Sequence, residues 1–85
     1  MITVYSKPNC PYCEKAKYLL KSLGLQYEEK TVTKDLSVEE LYEALGKQVR
    51  TIPQIVINKD HIGGYNELKE HFINKGIINF KGEII

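Results

Sequence analysis

The strongest constraint on the fold is a short apolar segment that leads directly into a helix containing both cysteines. Residues 2–6 are β-branched and aromatic, which predicts a strand, and residues 7–9 break it. Pro11 is suited to the first turn of a helix, where its missing N–H would have had no partner. The apolar positions that follow recur at helical spacing as far as the stop signal Gly24: Cys13, Ala16, Leu20 and Leu23. The cysteines therefore lie at a strand-to-helix turn.

The middle of the chain predicts a weak strand and a well-marked helix. Residues 27–32 form the strand, although charged side chains blur its alternation. Ser37 and Glu40 have the spacing of a capping box, in which each side chain accepts a hydrogen bond from the other residue's backbone N–H. We therefore expect a second helix that begins after Ser37 and ends at Gly46.

The last third of the chain predicts a hairpin followed by a third helix. Residues 54–57 are typical of a buried strand, and turn residues at 58–60 lead into a short returning strand at 61–63. Asn66 is expected to cap the third helix. Residues 77–85 form a tail that the pattern does not assign.

The predicted element order, β-α-β-α-β-β-α, limits the architecture. A βαβ unit requires a parallel strand pair joined by a right-handed crossover. The chain is therefore predicted to be an α/β protein with a small four-stranded mixed sheet and three helices packed on it. With 85 residues and no linker-like tract, residues 1–85 are expected to form one domain.

Charge and hydropathy narrow the range of functions. Twelve basic and eleven acidic residues leave a net charge of +1, which gives no reason to expect nucleic acid or an anionic membrane as a partner. No apolar run approaches the roughly 20 residues of a membrane span, and no secretory signal is visible. We therefore expect a cytoplasmic protein. Structural disulfides are rare in that compartment, so two cysteines this close together indicate chemistry or metal binding.

The position of the cysteines predicts their roles in thiol–disulfide exchange. Cys10 falls at the start of a helix, where free backbone N–H groups and the helix dipole favour a thiolate, and Lys7 adds positive potential. Such positions lower a thiol pKa from about 8.5 into the range of roughly 3.5–7.5. Cys10 is therefore the predicted nucleophile. Cys13 lies on the apolar stripe and is predicted to resolve a mixed disulfide formed on Cys10.

Two other interpretations of the cysteine pair are open on the residues alone. The pair has the spacing of half a zinc site, with His61 and His71 as the remaining candidate ligands, but these lie too far apart for the usual His-x₃₋₅-His pattern. We expect both histidines on the surface and no metal. The cysteines could also serve only in packing, which would not require Pro11 and a helix start between them.

Three motifs together resemble one family. They are residues 7–13 (KPNCPYC), residues 51–53 (TIP) and residues 63–68 (GGYNEL). In this order and spacing the chain is similar, from residue 3 to about residue 75, to a dithiol glutaredoxin of the thioredoxin-like superfamily. Thioredoxins share the fold but usually carry a tryptophan before the first cysteine, and this chain has no Trp.

The resemblance implies a thioredoxin-like fold, a catalytic pair made of Cys10 and Cys13, and a glutathione site. The Ile52–Pro53 bond would be cis and would turn the backbone of Ile52 towards the extended glutathione peptide. The γ-glutamyl end would lie at the start of the third helix. The implied binding residues are Lys7, Tyr12, Arg50, Thr51, Ile52, Pro53, Gly64, Tyr65, Asn66 and Glu67.

Two departures from the family pattern concern this site. Glu67 stands where aspartate is common, which moves the acidic oxygens that would meet the amino group of the ligand. The second helix carries Glu39 and Glu40, where many members have a neutral or basic residue beside the glycine carboxylate.

The implied function is glutathione-dependent reduction of protein disulfides and of glutathione mixed disulfides. Glutathione would be a co-substrate, with no other cofactor, and the protein a monomer; ribonucleotide reductase is a typical electron acceptor in the family. Two alternatives are open: a redoxin reduced by thioredoxin reductase, and a carrier whose iron–sulfur cluster is shared by two chains and two glutathiones. Pro11 disfavours the carrier because it stiffens the helix start.

Overall fold

The element order agrees with the prediction. The computed structural model describes residues 1–79, 81, 83 and 84, and within them it contains four strands and three helices. In chain order they are β1 (Ile2–Ser6), α1 (Pro11–Ser22), β2 (Glu28–Thr31), α2 (Val38–Leu45), β3 (Gln54–Ile57), β4 (Asp60–Gly63) and α3 (Tyr65–Asn74).

The strands form a mixed sheet in the order β2-β1-β3-β4. β1 pairs parallel with β2, to which α1 connects it, and antiparallel with β3, which pairs antiparallel with β4. The predicted α/β class and mixed four-stranded sheet are confirmed for the described part of the chain. This pairing brings the end of β1, the start of β3 and the end of β4 to the same end of the sheet.

Helices cover both faces of the sheet. Alternation along the strands directs one set of side chains to each face. One face packs against α1 and α3 in a cluster formed by Ile2, Val4, Ala16, Leu19, Leu20, Ile55, Leu68, Phe72 and Ile78. The other face packs against α2 in a smaller cluster formed by Tyr5, Val32 and Leu41. Both cores hold the strand ends in place, and the three sequence motifs lie just beyond these ends.

The third helix begins earlier than predicted. Its N-cap is Gly64 and its first residue is Tyr65, so Asn66 lies inside the first turn and is not the cap. The Glu67 carboxylate reaches back and accepts a hydrogen bond from the Gly64 N–H at 2.7 Å. This bond occupies a helix-start N–H from within the helix, so no side chain at the cap position is needed.

Two other differences concern the second strand and the tail. β2 covers Glu28–Thr31, shorter than the predicted segment 27–32. Ile78, in the tail, is 1% exposed and belongs to the larger core. Ile78 also forms an isolated bridge with Ile84, whereas residues 80, 82 and 85 of the tail lie outside the described residues.

A charged network joins β1, β2 and α1 immediately before the cysteine turn. The Glu29 carboxylate accepts hydrogen bonds from the buried Ser6 hydroxyl at 2.7 Å and from the Lys17 ammonium at 2.9 Å. Lys17 also pairs with Glu14 at 2.9 Å. The Ser6 hydroxyl and then Lys17 lower the pKa of Glu29, while Glu14 and then Glu29 raise the pKa of Lys17.

This network predicts a pH-dependent contribution to stability. A carboxylate whose pKa is lower in the folded state stabilises the protein above its unfolded pKa and loses that effect as the pH falls. Glu29→Gln should therefore lower the melting temperature at neutral pH, and the difference from the wild type should shrink below about pH 4.5, the ordinary value for this group. Thermal unfolding of the oxidised proteins across acidic pH measures this.

Glu28→Gln is the matched control, because among the described residues the Glu28 carboxylate forms only an exposed ion pair, with Lys30 at 3.6 Å. It should change the melting temperature little at any pH. A loss in Glu29→Gln that is the same at neutral and at acidic pH would contradict the assigned ion pair.

Candidate redox-active site

The first motif places both cysteines at the start of α1. Cys10 is the N-cap residue, and its sulfur accepts a hydrogen bond from the Cys13 backbone N–H at 3.2 Å. Pro11 occupies the first helical turn, as predicted. The sulfur thus takes the place of a capping oxygen, and it lies where the backbone N–H groups of the helix converge.

The two cysteines form a disulfide, with their Cα atoms 5.2 Å apart. Cys10 is 7% exposed and Cys13 is 1% exposed. Cys10 is therefore less open to solvent than a helix-start position suggested, since its sulfur lies 3.7 Å from the carbonyl oxygen of Ile52. Cys10 is the more accessible of the two cysteines, and the division of roles between them stays a prediction.

The second motif forms the loop that lies against Cys10. The Ile52–Pro53 peptide bond is cis, as expected. Pro53 is buried, and its carbonyl oxygen would lie only 3.4 Å from a methyl group built on Gly64. The loop at 51–53 is therefore in close contact with the start of α3, which carries the third motif.

A hydrogen-bonded network lies behind this loop. The Gln54 amide group donates to the Thr51 carbonyl at 2.8 Å and approaches the Thr51 hydroxyl at 3.3 Å. His61 Nε2 lies 2.6 Å from the Gln54 side-chain oxygen. His61 is half-buried and not the solvent-facing residue that the sequence suggested. Burial first, and then the charge of Lys47, lowers the pKa of His61.

Aromatic side chains connect the first motif to the third. The Tyr12 and Tyr65 ring centroids are 6.0 Å apart. Tyr12 is 53% exposed, and the Lys15 ammonium lies 4.8 Å from its ring centroid, within cation–π distance. The two rings are inclined to each other by 40°, and they join the start of α1 to the start of α3.

A groove of about 310 Å³ lies next to Thr51, the first residue of the 51–53 loop. Its lining includes four of the predicted binding residues, Arg50, Thr51, Gly64 and Glu67, together with Lys47 and His61. Arg50 and Glu67 give the groove one basic and one acidic side chain from the predicted set.

Two of the predicted binding residues have side chains that do not contact the rest of the site through hydrogen bonds or ion pairs among the described residues. These are Lys7 and Asn66, which are both exposed. On α2, Glu40 completes its capping box with Ser37 and is held there. Glu39 is exposed.

Four residues of the site environment were not predicted: Lys15, Lys47, Gln54 and His61. Gln54 carried a signal, because it is a polar residue at the start of an otherwise apolar strand. The positions of Lys15 and His61 depend on contacts that spacing alone does not reveal.

Within the part of the chain that is described, no three His, Cys, Asp or Glu side chains come together as a metal site. Among the same residues, every helix is too short or too polar to span a bilayer.

The backbone conformation and close contacts of Gly63, in the third motif, predict that even a methyl group at this position destabilises the protein. Gly63 has φ +120°, and a methyl group there would lie 2.9 Å from Glu67 Cγ and 3.0 Å from Glu67 Cβ. Gly63→Ala should therefore lower the free energy of unfolding by about 1–3 kcal/mol and displace the carboxylate that binds the Gly64 N–H. Urea unfolding of the oxidised protein measures the loss.

Gly24→Ala is the control, because Gly24 also has positive φ, +71°, but open space around it. The difference between the two variants gives the combined cost of the collision with Glu67 and of a φ further from the left-handed region that alanine can adopt. Equal losses in both would contradict an effect on the start of α3.

A cysteine pair joined as a disulfide at the start of α1, facing a cis-proline loop on a four-stranded mixed sheet, defines a thiol–disulfide oxidoreductase with the thioredoxin-like fold. The glutaredoxin family model matches residues 2–62. The chain belongs to the glutaredoxin family and carries its dithiol motif.

Curated relatives agree with this assignment. Glutaredoxin 3 of Escherichia coli strain K12 is 38% identical over 68 residues, which cover 79% of this chain and 80% of the relative. Hybrid peroxiredoxin hyPrx5 of Haemophilus influenzae is 38% identical over 71 residues, or 84% of this chain. The match covers only 29% of hyPrx5, so the chain is similar to one part of that protein.

Solved structures show the same fold. The reduced Escherichia coli glutaredoxin structure superposes with a TM-score of 0.76 at 30% identity, covering 86% of this chain and 93% of that one. The buckwheat glutaredoxin–glutathione complex gives a TM-score of 0.73 at 29% identity, covering 87% of this chain and 69% of that one.

Proposed function

We propose that this chain is a glutathione-dependent oxidoreductase that reduces protein disulfides and glutathione mixed disulfides. The observation that carries the proposal is the position of Cys10, whose sulfur lies 3.7 Å from the Ile52 carbonyl oxygen, in the loop that packs against the start of α3. A thiolate at Cys10 would attack a disulfide held between that loop and the helix. The buckwheat relative, whose structure contains glutathione, supports this choice of ligand.

The proposed glutathione site uses backbone groups as well as side chains. Ile52 would pair with the ligand backbone as a neighbouring strand does. The γ-glutamyl carboxylate would bind at the N–H groups of Tyr65 and Asn66 in the first turn of α3, because Glu67 already accepts from the Gly64 N–H. Beside it, Glu67 would face the ligand amino group. The remaining contacts are assigned to Lys7, Tyr12, Arg50, Thr51, Pro53, Gly64, Tyr65 and Asn66, with Lys7 and Arg50 near the glycine carboxylate.

Reduction of a protein disulfide proceeds by two exchanges. The Cys10 thiolate attacks one sulfur of the substrate, forms a mixed disulfide and releases the other substrate sulfur as a thiolate. Cys13 then attacks Cys10, which releases the second substrate thiol and leaves the Cys10–Cys13 disulfide. Two glutathiones restore the dithiol and leave as glutathione disulfide, so they supply both electrons.

Reduction of a glutathione mixed disulfide needs only Cys10. Its thiolate takes the glutathionyl group and releases the substrate thiol, and a second glutathione then attacks the glutathionyl sulfur. Glutathione disulfide leaves and the Cys10 thiolate is restored. No prosthetic group takes part in either route.

The test is a coupled assay with glutathione, glutathione reductase and NADPH, on a glutathione mixed disulfide and on a disulfide-bonded protein. A parallel assay replaces the donor by thioredoxin reductase and NADPH. We expect turnover in the first assay; turnover in the second alone would overturn the proposal in favour of a redoxin served by the flavoprotein. A brown protein with visible absorbance would instead favour the iron–sulfur carrier.

The proposed setting is the cytoplasm, with the protein acting as a monomer and passing electrons to proteins such as ribonucleotide reductase. Size-exclusion chromatography of the oxidised protein tests the monomer. Reduction of an oxidised ribonucleotide reductase in the coupled assay tests the acceptor.

A further inference from the structure

The side chain of Gln54 is placed between the 51–53 loop and β4. Gln54 is 4% exposed and is the first residue of β3, directly after Pro53. β3 and β4 pair with Val56 opposite His61 and Ile55 opposite Gly63, so the register shifts by one residue between them. This pairing puts Gln54 and His61 on the same face of the sheet, where their side chains meet.

The direction of each hydrogen bond follows from the chemistry of the groups. The Thr51 carbonyl can only accept, so the Gln54 atom 2.8 Å from it must be the amide nitrogen. The other end of the amide, which faces His61 Nε2 at 2.6 Å, is then the oxygen and can only accept. His61 Nε2 must therefore carry a hydrogen. A flipped amide would set two acceptors against each other at Thr51.

We propose that His61 is a positioning residue for the redox reaction, and that it acts through Gln54 on the loop that faces Cys10. His61 fixes the Gln54 amide, Gln54 holds the Thr51 carbonyl, and Thr51 precedes Ile52, whose carbonyl oxygen lies 3.7 Å from the Cys10 sulfur. The expected effect on KM rests on the proposed function, which assigns the 51–53 loop to glutathione binding.

The kinetic test compares His61→Leu, which removes the donor, with His61→Gln, whose amide N–H can replace it. The substrate is the mixed disulfide of glutathione with cysteine. His61→Leu should raise KM about three- to tenfold and change kcat less than about twofold, as expected when one hydrogen bond that orders a binding loop is lost. His61→Gln should stay within about twofold of the wild-type KM.

A second substitution tests whether the effect passes through Gln54. Gln54→Leu should raise KM at least as much as His61→Leu, and adding His61→Leu to it should produce no further rise. His71→Leu is the control, because His71 lies on α3 and contacts the Phe72 ring, outside this network. Independent, additive effects of the two substitutions would overturn the inference.

Nuclear magnetic resonance provides a readout that does not depend on glutathione. In the reduced wild type at neutral pH, the ¹⁵N shifts of the ring should identify the Nε2–H tautomer of His61. His61→Leu should shift the backbone amide signals of Thr51 and Ile52, and His71→Leu should not. An Nδ1–H tautomer, or loop signals that His61→Leu leaves unchanged, would overturn the inference.

These measurements separate the two proposals. A wild-type protein without glutathione turnover would refute the proposed function, while the tautomer and the loop signals would still decide the role of His61. If His61→Leu does not fold, His61→Asn replaces it, since its shorter amide falls short of Gln54. Retained wild-type KM in that variant would count against the inference.

Discussion

Cys10→Ser is expected to abolish both reactions, with rates falling by on the order of a thousandfold or more. The Cys10 sulfur caps the helix start and faces the Ile52 carbonyl, and Cys10 is 7% exposed whereas Cys13 is 1% exposed. A serine hydroxyl at position 10 is not ionised at neutral pH and is a far weaker nucleophile than a thiolate. Steady-state rates in the glutathione-coupled assay measure the loss.

Cys13→Ser is expected to separate the two substrates. Reduction of a glutathione mixed disulfide should stay within about threefold of the wild type, because an incoming glutathione completes that cycle. Reduction of an intramolecular protein disulfide should fall by about 10- to 100-fold, because Cys13 resolves the mixed disulfide at the high effective concentration of an intramolecular step. If Cys10→Ser keeps activity and Cys13→Ser has none, the assignment of the nucleophile is wrong.

Leu20→Ala is expected to cause the largest loss of stability among single core substitutions on α1. Leu20 is 0% exposed and packs in the cluster that joins α1 to β1, β3 and α3. Removing a buried leucine side chain costs about 2–5 kcal/mol, a large fraction of the roughly 5–15 kcal/mol that stabilises a domain. The melting temperature should fall by about 10–25 °C.

Tyr18→Ala is the matched control for Leu20→Ala. Tyr18 lies on the same helix but is 75% exposed, so its truncation should change the free energy of unfolding by about 0.5 kcal/mol or less. Calorimetry of both variants in the oxidised state gives the comparison. Similar losses in the two would contradict the packing of α1 described here.

The sequence predicted those elements whose signals are local. Pro11 marks the start of α1, and the capping box of Ser37 and Glu40 is present as expected. The start of α3 was predicted at Asn66 because a cap is usually a side chain at the cap position itself. Here the acceptor is Glu67, which reaches back to a glycine, and this arrangement leaves little trace in a propensity pattern.

In the candidate site, too, the features with a local sequence signal were predicted and those that depend on long-range contacts were missed. The placement of Cys10 and Cys13 at the start of α1 was predicted from a short motif and is confirmed. The contact between Gln54 and His61 was missed because it depends on the register of β3 against β4, which shifts by one residue. The buried position of Ile78 was missed for a related reason, since it reflects a long-range contact and not a pattern within its own segment.

The strand order also determines when the site is completed as the chain folds. Cys10 and the Ile52 carbonyl that lies against it are 42 residues apart in sequence. They meet only after β3 pairs with β1, where Ile2 lies opposite Ile57, and closing so long a loop is slower than forming the neighbouring β1–α1–β2 unit. Until β3 has paired with β1, the Ile52 carbonyl therefore does not cover the Cys10 sulfur. During that interval the cysteines are open to adventitious oxidation and to pairing with other nascent chains.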